Sequence, residues 1–368
     1  MKKQNKSILD EIDELISRRQ KNYGTQLTIS LTNRCPLQCE HCIVNASYFR
    51  GNDLDQDMIR HIGEQLHTLQ GSVKLISVTG GEPFLREYEL KLLLKMAHPW
   101  LKIGVVTSGY WARSLNDAID LVNEYPEISH YNISTDIYHQ RFVPLEYIRN
   151  AYQAVKSRQK TAVIRFTEGY GSSEIESQLL REIQSFAGNE VAVQDLIPFG
   201  RAGQLKQQFP YTAQKPPIPC LSDGPLICED GKVLPCCSAL ASIKNEHPLI
   251  LGSVKLHELP VIYKNIHTNT IFQFLRLWGS GRLFQLLKAT SLSGLLPKKH
   301  LDFNPCYTCA MLFSKPEICE YLTKMALDAE VRLKVASGLW HYFQDPIFID
   351  ELFYNNENFK SEVIAKCR

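Results

Sequence analysis

The stretch S-L-T-N-R-C-P-L-Q-C-E-H-C, residues 30–42, places Cys35, Cys39 and Cys42 directly behind the β-branched run 25–31, TQLTISL. Three thiolates can hold three irons of a cubic iron-sulfur cluster and leave the fourth without a protein ligand. An open iron is what a cluster needs to bind a cofactor or substrate directly. A structural zinc site is instead closed by four ligands. His41, the nearby candidate for a fourth, sits between two ligand positions and is expected to line the loop.

Outward from this stretch the chain alternates. Short β-branched runs at 74–79, 101–107, 129–135, 161–167 and 191–197 are separated by helical patterns at 55–70, 88–97, 114–124, 144–157 and 173–186. Six strands joined by helical crossovers require a mostly parallel sheet. In such folds functional groups gather at the C-terminal ends of the strands. Those ends carry Gly80-Gly81-Glu82-Pro83, then Thr107-Ser108-Gly109, Ser134-Thr135-Asp136, Arg165 and Asp195-Leu196. Successive glycines permit close backbone approach, and Glu82 can accept from an ammonium group. Asp136 lies three positions before His139, so a carboxylate can orient an imidazole there.

A leading segment, 1–23, has Ile8, Ile12 and Ile16 at helical spacing. Beyond Gly200 a hairpin is expected at 225–236, then helices near 257–265, 270–289 and 317–339 and a last one within 346–368. The 368 residues, 44% hydrophobic and 22% charged, suffice for a large core, and a formal charge of +2 excludes a uniformly basic nucleic-acid-binding surface. No secretion or membrane-spanning segment is evident, so the expected location is cytoplasmic. There, eleven cysteines point to metal rather than to a disulfide framework.

The C-x3-C-x2-C triplet after strand one, with VTGGEPFL after strand two, resembles the radical S-adenosylmethionine (radical SAM) superfamily. The resemblance implies a partial (β/α)6 barrel, with a [4Fe-4S] cluster on Cys35, Cys39 and Cys42. The methionine amino and carboxylate groups of S-adenosyl-L-methionine would chelate its open iron. One electron would then cleave the sulfonium and yield a 5'-deoxyadenosyl radical. It also implies that Gly80, Gly81, Glu82 and Pro83 receive the cofactor, with Ser108, Ser134, Arg165 and Leu196 as further cofactor candidates. His41 stands where the family often has an aromatic residue.

Past the barrel, Cys306 and Cys309 form a C-x-x-C, and Cys220 and Cys236 flank the expected hairpin. Cys220, Gly231 and Cys236 resemble the opening of the auxiliary-cluster extensions called SPASM and twitch domains. The resemblance implies one further [4Fe-4S] cluster on Cys220, Cys236, Cys306 and Cys309. Cys319 follows Cys309 too late for the full SPASM spacing, so the arrangement is twitch-like or truncated. The implied organisation is a helical extension (1–23), the barrel (24–205), an auxiliary domain (206–325) and a helical end (326–368). The fold class is therefore α/β, a partial radical SAM barrel with a C-terminal auxiliary iron-sulfur domain.

Cys228, Cys237, Cys319 and Cys367 remain spare. Cys228 and Cys319 are the catalytic candidates among them, as hydrogen donors, together with Asp136 and His139 on the substrate side. IPFGRAG at 197–203 resembles the sixth-strand exit of SPASM-containing members, and Arg201 is expected to meet a substrate carboxylate or anchor the interdomain turn. The resemblance implies hydrogen abstraction from a ribosomally made peptide, leading to epimerisation, oxidation or crosslinking. It implies a flavodoxin- or ferredoxin-like electron donor as partner. A dehydrogenase or epimerase of a small molecule is the alternative within the same chemistry, and a non-catalytic iron-sulfur scaffold the alternative outside it. Neither a membrane nor a nucleic acid is an expected partner.

Overall fold

The structure, a computed structural model, describes residues 23–49, 51–169, 173–205, 209–213, 219–301 and 304–354. The expected helix in 1–23 and all but the start of the one in 346–368 lie outside the described residues.

Six parallel strands run β1 (Gln26–Thr32), β2 (Leu75–Gly80), β3 (Lys102–Thr107), β4 (Ile128–Thr135), β5 (Thr161–Glu168) and β6 (Val191–Asp195), each paired with the next. The crossover helices are α1 (Gln56–Gln65), α2 (Glu87–Met96), α3 (Leu115–Glu124), α4 (Leu145–Ser157) and α5 (Glu174–Ala187). Their starts are legible. Asp55 and Ser114 cap α1 and α3, and Ser173 with Glu176 forms a reciprocal capping box on α5.

Alternation along the strands divides the sheet into two faces. Ile29, Leu31, Ile76, Val78, Val105, Ile133, Ile164 and Phe166 are fully buried. The intervening positions are polar, among them Ser30, Ser77, Ser134, Arg165 and Thr167.

The hairpin of β8 (Leu226–Ile227) and β9 (Lys232–Leu234) falls where expected, but it is not a separate layer. β8 runs parallel to β1, and β10 (Gly252–Ser253) closes against β9, extending the barrel sheet to nine strands in the order β10-β9-β8-β1-β2-β3-β4-β5-β6. Backbone bonds from Gly24 N to Asp223 O and from Thr28 N to Pro225 O sew the join. A Cβ on Gly224 would stand 1.9 Å from Gln26 O, so glycine is required where the returning chain meets β1. A two-residue pair, β7 (Tyr211–Thr212) with β11 (His300–Leu301), stands apart.

The C-terminal helices are α6 (Leu259–Thr268), α7 (Thr270–Lys288), α8 (Pro305–Phe313), α9 (Pro316–Leu327), α10 (Ala329–Phe343) and α11 (Ile347–Leu352). The single helix expected over 317–339 is two, because Asp328 leaves the helical region and caps α10 through Val331 N. α7 bends at Gly279, whose φ is +73°. No helix among the described residues is long and apolar enough to cross a membrane.

Gly224→Ala is expected to cost about 1–3 kcal/mol through overpacking against β1, read as a lower denaturation midpoint. Gly294→Ala, with nothing within 4 Å of its added Cβ, serves as the neutral control.

Candidate active site

The loop after β1 carries Cys35 and Cys39, both buried, and Cys42, half-buried. Its shape is imposed by backbone contacts. Gly81 N donates to Thr32 O (2.6 Å) and Glu82 N to Arg34 O (2.9 Å), so the end of β2 lies directly on the loop. A Cβ on Gly80 would stand 2.0 Å from Thr32 O, and one on Gly81 2.1 Å from Arg34 O. From the far end of the barrel, Arg201 N donates to Cys42 O, and its guanidinium to Cys39 O (2.9 Å) and Ala46 O (2.6 Å). Gly200 (φ +60°) would meet Cys42 O at 2.6 Å with any side chain. Arg201 is thus an anchor of the cysteine loop.

The three thiols act electrostatically on one another. Burial pushes the Cys35 thiol up to about 12, aided by the Glu82 carboxylate and the Cys42 thiol. Burial pushes Cys39 higher still, with Cys35, Asp136 and Cys42 adding to the shift. Metal binding here must displace protons, since the thiolate is the ligand.

Glu82 is fully buried. Its oxygens accept from Thr107 Oγ1 (2.8 Å), Ser108 N (2.9 Å) and Ser108 Oγ (2.6 Å), which ties the end of β2 to the end of β3. Burial raises its pKa, and the hydrogen bonds from Ser108, Thr107 and Phe84 oppose the rise. Pro83 opens the short 3-10 turn Pro83–Leu85 behind it.

Asp136, also fully buried, accepts from Tyr138 N and His139 N on one oxygen, and from His139 Nδ1 (2.8 Å) and His41 Nε2 (3.1 Å) on the other. Burial alone would raise this carboxyl, but the two imidazoles together hold it well below the usual carboxylate range. His41 stacks on Tyr138, and its Nδ1 is buried without a hydrogen-bond partner. Cys39, His41 and His139 bring ligand atoms within 4.8 Å of one another, a candidate metal-binding group at the mouth of the barrel.

Residues 29–161, spanning β1 to the start of β5, match the radical SAM superfamily. The chain resembles this superfamily over that segment. It is 23% identical over 309 residues to YydG of Bacillus subtilis (strain 168), named for peptide biosynthesis, covering 81% of this chain and 95% of YydG. It is 31% identical over 103 residues to GTP 3',8-cyclase of Aliarcobacter butzleri (strain RM4018), covering 25% of this chain and 31% of the cyclase. Among solved structures it resembles native anSMEcpe with bound AdoMet at TM-score 0.50 and 14% identity, covering 90% of this chain and 99% of that one. The same protein with bound AdoMet and Kp18Cys peptide gives TM-score 0.50 and 14% identity, over 89% and 98%.

The other candidates are placed unevenly. Ser134 and Arg165 are register partners on the polar face of β4 and β5. Arg165 Nη2 donates to Gln194 Oε1 (3.0 Å), and Gln194 Nε2 to Thr167 Oγ1 (2.9 Å), which carries the polar face across to β6. Leu196 is buried just past β6, its N–H on Glu168 O. Ser108 is committed to Glu82.

Of the spare thiols, Cys319 is buried in α9 and donates to Phe313 O (3.2 Å). Cys228 is buried at the end of β8. Cys237 is exposed, yet surrounding chain pushes its thiol up while the Arg165 guanidinium opposes the shift.

Cys220, Cys236, Cys306 and Cys309, from three parts of the chain, are linked by electrostatic interaction. Burial raises all four thiols. Cys220 and Cys306 further raise Cys236, and Cys236, Cys220 and Cys306 further raise Cys309. α8, absent from the sequence expectations, supplies two of them one helical turn apart, so both project from one face. Asn304 Oδ1 caps this helix by accepting from Cys306 N and Tyr307 N.

Arg201→Met removes two charge-assisted bonds, each worth roughly 1.5–3 kcal/mol. Hydrogen exchange at the Cys39–Ala46 amides is expected to accelerate about tenfold or more, measured by mass spectrometry, while α3 and α4 keep their protection.

Proposed function

We propose that this chain is a peptide-modifying radical SAM enzyme that uses Cys237 to return a hydrogen atom to a substrate carbon. The observation that carries the reading is that Cys237 is an exposed residue on whose thiol the Arg165 guanidinium acts, outside the two cysteine sets expected to bind metal. The peptide substrate is supported by the match to YydG along nearly its whole length. The small-molecule alternative has a narrower basis, because the cyclase match stops within a quarter of the chain.

The residues fit the cofactors expected. Cys35, Cys39 and Cys42 would hold a [4Fe-4S] cluster, with the unpartnered His41 Nδ1 beside it. Cys220, Cys236, Cys306 and Cys309 would hold a second [4Fe-4S] cluster. Bound S-adenosylmethionine and reduced iron-sulfur supply a carbon radical able to take hydrogen from an unactivated C–H bond.

The chain's own residues do the rest. Glu82 holds the ends of β2 and β3 as one rigid wall, with Gly80, Gly81 and Pro83 on its rim. Asp136 fixes the His41 and His139 rings. Ser134, Arg165 and Gln194 offer donors and acceptors to an extended backbone entering the open side of the barrel. Cys237 S–H delivers its hydrogen to the substrate carbon. The resulting sulfur radical returns to the thiol with one electron and one proton, the electron coming from a flavodoxin- or ferredoxin-like donor. In this reading 24–205 generates the radical, 206–325 governs its fate, and Cys228 and Cys319 are packing residues.

The test is mass spectrometry of anaerobically reconstituted enzyme with S-adenosylmethionine and a precursor peptide encoded beside its gene, run in deuterated water. Peptide that gains solvent deuterium without other mass change supports hydrogen return from an exchangeable thiol. Loss of two hydrogens points to oxidation or crosslinking and sinks the Cys237 role. Cys237→Ala is expected to lower deuterium-labelled product at least a hundredfold while 5'-deoxyadenosine still forms, whereas Cys228→Ala and Cys319→Ala retain labelling.

A further inference from the structure

The second group of thiols has a buried cation beside it. Arg276, in α7, is almost inaccessible to solvent at 4% exposure. Its guanidinium carbon lies 4.9 Å from the ring centre of Tyr23 and 5.5 Å from that of Phe343, so the planar head is gripped by aromatic faces. Gln273 Oε1 accepts from its Nη1 at 2.8 Å.

Two backbone links tie this cation to the cysteines. Cys220 N donates to Leu275 O (2.9 Å), the carbonyl immediately before Arg276. Tyr23 Oη donates to Pro235 O (2.9 Å), the carbonyl immediately before Cys236. The helix turn carrying the guanidinium thus fixes Cys220, and the ring against it fixes Cys236. The guanidinium also interacts electrostatically with the Cys220 thiol and with the Asp345 carboxylate.

We infer that Arg276 is a positioning residue that sets the reduction potential of the group held by Cys220, Cys236, Cys306 and Cys309. This rests on the reading of those four thiols as an iron-sulfur site. Four thiolates around an iron-sulfur core make an anion, and reduction adds one more negative charge to it. A fixed cation in a poorly solvated setting favours the more negative state, so it raises the potential and makes the site a better electron acceptor. A lysine at the surface would be screened by water and salt. Burying the guanidinium costs desolvation, and an anionic group beside it offsets that cost. Arginine also suits the place because it keeps its charge when buried and stacks on rings.

The test is an EPR-monitored redox titration of the full-length chain with Cys35, Cys39 and Cys42 replaced by alanine, so that only the second site reports. Iron and sulfide content of that parent chain decides the cluster reading by itself, and their absence overturns both. With the cluster present, Arg276→Gln is expected to lower the equilibrium constant for reduction at least tenfold, 59 mV towards negative potential for one electron. Arg276→Lys returns most of the shift. A Gln variant with a full cluster and the parent's potential overturns the inference. Asp345→Asn tests the same field from its other side and decides the matter alone should the Gln variant lose its cluster. Removing that carboxylate frees more of the guanidinium's field for the thiols, so the potential rises, and an unchanged potential there overturns the inference.

Discussion

The structure depends on one close approach, that of the Gly80-Gly81 backbone to the backbone of Thr32 and Arg34. Neither glycine tolerates a side chain there, and both following amides are spent on the cysteine loop. The loop is therefore continuous with the sheet, hydrogen-bonded to it almost as a strand would be. Everything else at the mouth of the barrel is placed relative to that seam. Glu82 transmits the position of β2 to β3 through Thr107 and Ser108, and Arg201 closes the loop from the opposite side.

The buried charges follow a consistent pattern. Glu82 and Asp136 are the two fully buried carboxylates of the mouth, and each accepts several hydrogen bonds, as burial demands. Glu82 meets neutral donors and Asp136 meets imidazoles, so burial dominates at the first and the partners dominate at the second. At the cysteines burial dominates, and arginines oppose it, Arg201 at Cys35 and Cys39, Arg276 at Cys220 and Arg165 at Cys237.

The six strands, their crossovers and the placement of the cysteine triplet were legible, because period, capping residues and strand-end glycines are local signals. What was not legible joins distant parts of the chain. Arg201 reaches Cys39 across 162 positions, and nothing in IPFGRAG says which carbonyls it will find. The parallel pairing of β8 with β1 rests on a two-residue strand, too short for any periodicity. α8 is the exception, because its start is a local signal: Asn304 and Pro305 are an N-cap and first-turn pair directly before the C-x-x-C. Asp328 was likewise a readable break within the span 317–339. Among the thiols outside the two expected ligand sets, spacing does not tell Cys237, which is exposed, from Cys228, which is buried.

The pairing of β1 with β8 has a consequence for how the protein is made. β1 leaves the ribosome well before its neighbour β8, whose Leu226 and Ile227 pair with Thr28 and Ile29. Until that part of the chain emerges, β1 is a sheet edge, and the cysteine loop behind it lacks both Arg201 and the Glu229 carboxylate that accepts from Asn33 (2.9 Å). Long-range pairings of this kind form late. The candidate metal pocket is thus completed only after Arg201 and Glu229 have been synthesised, so metal arriving earlier would meet an unanchored nascent loop and metal arriving later a finished site.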